Sequence, residues 1–184
     1  MPTAPSHAVA ALALGAVFFR PEVPRHLWAT GVAFAMLPDA DVIGFGFGIR
    51  YGDLLGHRGL THSLTFAALL AALTVALGYR RGAGSLGPSG VWAFLALATA
   101  SHGFLDAFTD GGLGIAFFSP FEPTRYFFPW RPIAVAPIGL AGLFRPGMTR
   151  VIATELAWVW FPSALVIALV AARRISAHGA HSSA

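Results

Sequence analysis

The chain has no cysteine and no lysine, and only 11% of its 184 residues are charged. Without cysteine there are no disulfides, no thiolate metal sites and no cysteine nucleophiles. His and Asp are then the ligands left for a tight transition-metal site. With no lysine, the formal net charge of +4 rests on arginine alone. The arginines are scattered at segment ends and form no basic stripe, which disfavours nucleic-acid binding. The N-terminus, Met1-Pro-Thr-Ala-Pro-Ser6, has no basic n-region and does not read as a secretory signal peptide. No internal repeat is evident.

Apolar residues are abundant instead. The chain is 56% hydrophobic and its mean hydropathy is +0.68, far from a soluble domain of this length. This composition describes an all-α integral membrane protein, a single domain over residues 1–175 followed by a loose polar tail at 176–184. Apolar runs at 7–19, 26–37, 62–79, 91–108 and 151–172 predict a multi-pass transmembrane bundle of about four or five membrane helices. The last three runs reach spanning length, whereas the first two are shorter and suit a tilted or partly inserted hairpin. Ser6 is placed to cap the first helix, Pro38 to stop the second and Thr61 or Ser63 to cap the third, while Pro162 predicts a kink in the last. Residues 111–150 are too interrupted by proline to span but apolar enough for the interface, and read as a lid, with the aromatic run 126–130 as an interfacial belt.

The polar residues are distributed unevenly. If the helices alternate direction, His7, Asp39, Asp41, His57, His62, His102 and Asp106 all fall on one side of the bundle. Arg20, Arg25, Arg80, Arg81, Arg173 and Arg174 fall on the other. Ionisable groups at membrane depth are expensive and face one another or a watery cavity, so such a cluster is by default a functional site. His102 and Asp106 are spaced i, i+4, which puts an imidazole and a carboxylate on one helical face within reach of one ion. Asp39 and Asp41, beyond Pro38, suit a loop that offers carboxylate oxygens to one or two cations, or else a simple capped turn. His57 and His62 are five apart and do not share a helical face. Gly59 lets the chain turn between them, so that one ligates while the other handles a proton.

Other groups have a choice of roles. His7 is a ligand or an interfacial side chain. Arg58, Arg125 and Arg131 either fork onto a phosphate or snorkel to headgroups. Asp110 and Glu122 are candidates to support the ligands from behind. His26 lies on the arginine side and reads as structural, and His178 and His181 belong to the tail.

The ordered motifs Leu37-Pro-Asp-Ala-Asp41, His57-Arg-Gly-Leu-Thr-His-Ser63, Ser101-His-Gly-Phe-Leu-Asp106 and the segment from Ser119-Pro-Phe to Trp130-Arg-Pro-Ile133 resemble the YdjM-like family of bacterial and archaeal inner-membrane proteins, described as metal-dependent hydrolases. The resemblance covers residues 1–145, and its most specific element, His-Arg-Gly-x-Thr-His-Ser, matches without a gap. It implies a multi-pass protein of the cytoplasmic (inner) membrane with a metal site. A fainter similarity is to bacterial zinc-dependent phospholipase C, which presents a His, an Asp, a His and a His-x-x-x-Asp in that order. His7, Asp39 or Asp41, His62, and His102 with Asp106 would fill those places. The later His-x-x-x-Glu of that family is absent here.

These features describe a membrane-bound metal-dependent hydrolase holding one or two divalent ions, zinc first, between His7, Asp39, Asp41, His62, His102 and Asp106. Water activated there would attack a phosphoester or other ester of a membrane-associated lipid or similar substrate, with two ions the better match to so many ligands. His57 would be a further ligand or carry a proton, and Arg58, Arg125 or Arg131 would hold the phosphate. The wider spread of the site-side arginines through longer loops places the site on the extracytoplasmic face. The alternative is a non-enzymatic protein, either a metal or proton transporter or a scaffold with a structural ion. A transporter needs polar residues continuing across the bilayer, and 69–77 and 91–98 carry almost none. Substrate and oligomeric state are not written in these motifs.

Overall fold

Every regular element in the computed structural model is helical, and no strand occurs among the described residues. These are residues 1–19, 22–139, 144 and 146–182, with backbone alone from residue 178 onward. Arg20, expected opposite the cluster, and the His178 and His181 side chains, expected in the tail, lie outside them.

The chain begins with α1 (Ala4–Phe18) and α2 (Arg25–Met36). Pro38 ends the regular α-helix as expected, but the chain continues as a run of 3-10 turns over Leu37–Phe47. α3 (Leu64–Gly78) starts at Ser63, whose hydroxyl accepts from the Phe66 N–H at 3.0 Å, an N-cap of ordinary geometry. α4 (Pro88–Ala107) is the central helix and packs against α1, α2 and α3. α5 (Met148–Glu155) passes through a π-helical turn, Leu156–Trp160, into α6 (Phe161–Ser182), which packs on α1. The disturbance expected from Pro162 thus takes the form of a widened turn just before it. Proline cannot donate to the preceding turn, and a π-turn absorbs the misfit. α6 also carries helix into the residues 176–182 expected as a loose tail.

By length and composition, two stretches are apolar and long enough to cross a membrane: Arg25–Phe47, which includes the 3-10 run, and Met148–Ala177. α1 and α3 are apolar but only 15 residues each, below the usual spanning length of about 20. The outward face of α3 is nevertheless bare hydrocarbon, with Leu69, Leu73 and Leu77 exposed.

Helix packing puts the two kinds of side chain at opposite ends. The late residues of α1 and α3 and the early residues of α2 and α4 meet in an apolar core of Phe19, Leu27, Val91, Phe94 and Leu95, with Val75 and Tyr79 against it. Phe19 packs edge-on to Trp28, with centroids 4.7 Å apart. Gly31 lets α2 approach so closely that an added methyl would collide with the Phe94 ring. The opposite end of the bundle is left to the histidines and aspartates.

That end is covered by residues 109–137. This segment crosses over the bundle and is tied down by main-chain bonds: Leu64 N–H to Phe117 O at 3.0 Å, Ala116 N–H to Arg58 O at 3.1 Å and Phe128 N–H to Ala107 O at 3.0 Å. Ile115 and Tyr126 bridge the strap to itself. Phe121 and Trp130 project outward, as side chains at a membrane interface do.

Candidate metal centre

Five pieces of chain converge at the covered end. α1 delivers His7 from its first turns, the 3-10 run delivers Asp39 and Asp41, and the loop before α3 delivers His57 and Arg58. The short turn Leu60–His62 delivers His62, and α4 delivers His102 and Asp106 from one face. All are buried apart from Asp39, whose side chain is 13% exposed. The sequence-level grouping on one side is therefore realised as one cluster.

Asp39, His62, His102 and Asp106 can each point a ligand atom so that all lie within 4.8 Å of one another. His62 Nε2 stands 3.7 Å from both Asp39 Oδ1 and Asp106 Oδ2, and His102 Nε2 stands 3.2 Å from Asp39 Oδ1. The outer nitrogens of both rings are anchored. His102 Nδ1–H donates to the Ala35 carbonyl at 2.7 Å, and His62 Nδ1 lies 3.2 Å from Asp41 Oδ2. Such an anchor fixes the ring orientation and turns Nε2 toward the centre, where that of His102 meets Asp39.

The buried polar atoms at the centre test whether the site suits a cation. His62 Nε2, both ring nitrogens of His7 and Asp106 Oδ1 are buried without a hydrogen bond, while Asp106 Oδ2 meets only the Arg58 guanidinium. Unsatisfied buried groups of this kind are rare and costly. Here carboxylate oxygens and imidazole nitrogens face one another, a donor set that fits a cation. The charges agree: the carboxylates of Asp39, Asp41 and Asp106 share the cluster with the guanidinium of Arg58, which pairs with Asp106, and this leaves an excess of negative charge among these buried groups. In the metal-free protein this excess acts on His62. Burial disfavours its charged form, but the carboxylates of Asp39 and Asp41 outweigh burial and hold it above the ordinary imidazole value.

Asp41 differs from the other two carboxylates because its oxygens are already occupied. Oδ1 accepts from His57 Nδ1–H at 2.7 Å, while Oδ2 accepts from the Arg58 N–H at 3.2 Å and the Thr61 hydroxyl at 2.8 Å besides facing His62. Thr61, one of two expected helix caps, is thus spent on Asp41.

The arginines also sit differently from a phosphate clamp. Arg58 is fully buried and pairs through Nε with Asp106 Oδ2 at 3.0 Å, while its Nη atoms donate to Gly111 O at 2.7 Å and Thr109 Oγ1 at 3.0 Å. Its backbone lies in the left-handed region at φ 65, a conformation that costs a bulky residue about 1–3 kcal/mol. Gly112, itself at φ 93, makes room for the guanidinium, since a Cβ there would strike Arg58 Nη1. Arg125 donates to the carbonyls of His57, Tyr51 and Asp53 at 3.0–3.2 Å, stapling the strap to the loop that bears His57. Arg131 lies over the Phe127 ring, 4.8 Å from its centroid. Asp110 accepts from Val135 N–H and Arg150, and Glu122 from the Tyr126 hydroxyl, so neither supports the ligands.

Three contributors were not singled out in the sequence. The Ala35 carbonyl and Thr109 leave no trace in residue type. Glu155 does, as an acid within an apolar run. Its carboxylate accepts from the Thr3 N–H and hydroxyl and from the Ser6 hydroxyl at 2.5–2.6 Å, taking Ser6 from its expected role as a cap. It pins the start of α1, one turn before His7.

No solved structure matches this chain. It is 41% identical over 174 residues to Inner membrane protein YbcI of Escherichia coli (strain K12), covering 95% of this chain and 99% of the relative. Residues 1–180 match the description of the YdjM inner membrane protein family. With the resemblance carried by His57 to Ser63 and the rest of the cluster, the chain belongs to the YdjM inner membrane protein family.

Proposed function

We propose that this protein is a multi-pass, membrane-bound, metal-dependent hydrolase acting on a phosphoester, or another ester, of a membrane-associated substrate. The supporting observation is the set of buried atoms without a hydrogen bond on His62 Nε2, His7 and Asp106 Oδ1, backed by outer bonds that aim the His62 and His102 rings inward. Asp39, His62, His102 and Asp106 would hold a divalent cation, zinc by the mixed nitrogen and oxygen donors. Such an ion, when bound, polarises an ester oxygen and makes water a nucleophile at neutral pH.

The residues around it supply the rest. Asp41 orients His57 and His62, and the His57–Asp41 pair at 2.7 Å is the natural proton carrier, a carboxylate holding one ring nitrogen so that the other exchanges protons. Arg58 offsets the charge on Asp106. Asp39, the one partly exposed ligand, marks the side on which substrate enters. The strap over 109–137 keeps bulk water out.

The test is elemental analysis of the detergent-purified protein, followed by hydrolysis assays on p-nitrophenyl phosphate, its bis-ester and phospholipid vesicles. Bound zinc or another divalent metal is expected, with turnover lost on chelation and restored by adding the metal back. Metal-free protein, or turnover indifferent to chelation, would overturn the proposal. The burial of nearly every donor favours a second reading, a structural ion that only holds the helices. In that case chelation would unfold the protein and no ester would be cleaved.

The cluster is proposed to face the extracytoplasmic side, because Arg25, Arg80, Arg81, Arg173 and Arg174 occupy the opposite end and positive residues favour the cytoplasm. As the chain has no native cysteine, Ser85→Cys and Gly52→Cys can be labelled one at a time in intact cells with a membrane-impermeant thiol reagent. Position 52 is expected to react and 85 to be protected. The reverse pattern would invert the orientation, and labelling at both would rule out a one-sided site.

A further inference from the structure

His7 and His102 both look like ligands of the same ion, yet their rings forbid it. The two imidazoles are stacked, with centroids 3.7 Å apart and an interplanar angle of 12°. A ring nitrogen holds zinc about 2.1 Å away along its lone pair, which lies in the plane of the ring. An ion in the plane of one stacked ring is displaced by nearly the whole stacking distance from the plane of the other, and that second lone pair points past it. His102 is committed to the group with Asp39 and His62 by its 3.2 Å approach to Asp39 and its anchor on Ala35. His7 is left with two buried, unpartnered nitrogens and needs a partner of its own.

Asp106 shows where that partner sits. Its two oxygens face different histidines: Oδ2 lies 3.7 Å from His62 Nε2, and Oδ1 lies 3.7 Å from His7 Nε2. Oδ1 has no hydrogen-bond partner, and Oδ2 is met on its other side only by the Arg58 guanidinium, at 3.0 Å. A separation of 3.7 Å is too long for a hydrogen bond but suits two atoms that share an ion.

We infer that the centre has two cation positions bridged by the Asp106 carboxylate, the first among Asp39, His62, His102 and Asp106 Oδ2, the second between His7 Nε2 and Asp106 Oδ1. This rests on the proposal that the cluster binds metal. The other conceivable second position, at Asp41 and His57, is disfavoured because the Asp41 oxygens already accept from His57, Arg58 and Thr61. With few protein ligands of its own, an ion at the His7 position would take water or a substrate oxygen to complete its coordination, as catalytic ions do. A second divalent cation also turns the cluster from near neutrality to net positive. That favours an anionic phosphoester over a neutral ester as substrate, since paired ions can clamp both the attacking and leaving oxygens.

The test uses His7→Phe, which keeps a ring to stack on His102 and removes only the lone pairs. Metal per chain would be counted in detergent after loading with Zn²⁺, and Mn²⁺-loaded protein examined by electron paramagnetic resonance. The wild type is expected to bind about two ions per chain and give a spin-coupled Mn²⁺ pair. His7→Phe is expected to fall to about one ion and give the signal of an isolated Mn²⁺. One ion and an uncoupled signal in the wild type would overturn the inference but leave the metal centre standing, whereas no bound metal would overturn the centre itself. Two ions in folded His7→Phe would remove His7 from the second position. If that variant does not fold, the wild-type signal alone decides between a coupled pair and a single ion.

Discussion

Asp106→Ala is expected to leave the protein without bound metal and to destabilise it by about 3–5 kcal/mol, the usual cost of removing one partner from a buried ion pair. Two losses coincide. Among the described residues the carboxylate is the one whose oxygens pair with both His62 and His7, and it is also the partner of the fully buried Arg58. Asp106→Asn separates them, because the amide oxygen still accepts from Arg58 but the charge that holds a cation is gone. That variant should recover part of the thermal stability and none of the metal. Elemental analysis and melting in detergent measure the two effects independently. Metal at wild-type occupancy in both variants would refute the centre described here, and His26→Ala, outside the cluster, should alter neither quantity.

Arg58→Met is expected to be nearly as damaging, but in a different order. It keeps most of the volume and removes the charge, leaving Asp106 as an uncompensated buried carboxylate in the metal-free protein and Thr109 and Gly111 without their donor. The apo protein should lose about 3–5 kcal/mol. Added metal should restore much of that loss, since a divalent cation supplies the missing positive charge and ligand binding to the folded state adds stability. Because Arg58 orients a ligand without being one, metal affinity should drop about 10–100-fold and not vanish. Arg58→Lys should rescue poorly, as a point-charge ammonium cannot reach Asp106, Gly111 and Thr109 together. Competition with a chromogenic chelator reads affinity, and melting with and without Zn²⁺ reads stability. Equal melting of wild type and Arg58→Met without metal would show that the guanidinium does not balance Asp106.

Arg58 also shows how far residue type carries a role. Within His57 to Ser63 an arginine beside two histidines reads as an anion-binding group, and nothing local says otherwise. Its inward course depends on a left-handed backbone and on the space left by Gly112, more than fifty residues along the chain. Arg125 follows the same pattern. Its donors close on main-chain carbonyls of the loop over 51–57, a contact that no spacing in the sequence announces. Glu155 is the converse case, an acid in an apolar run that carries a signal in the sequence and was not singled out there.

The helical runs, their approximate ends at Pro38, Ser63 and Gly78, and the gathering of His7, Asp39, Asp41, His57, His62, His102 and Asp106 at one end were all legible in the sequence, because hydropathy and helix direction are local or additive properties. Membrane character followed from composition for the same reason. Tertiary structure alone decided which lone pairs are free. Asp39 and Asp41 are chemically identical and two residues apart, yet one faces His62 and His102 while the other is occupied by His57, Thr61 and the Arg58 amide. Two equivalent-looking histidines, His7 and His102, were likewise separated only by the stacking of their rings. Hydrogen bonding and coordination depend on angles between groups far apart in the chain, and those angles exist only once the helices have packed.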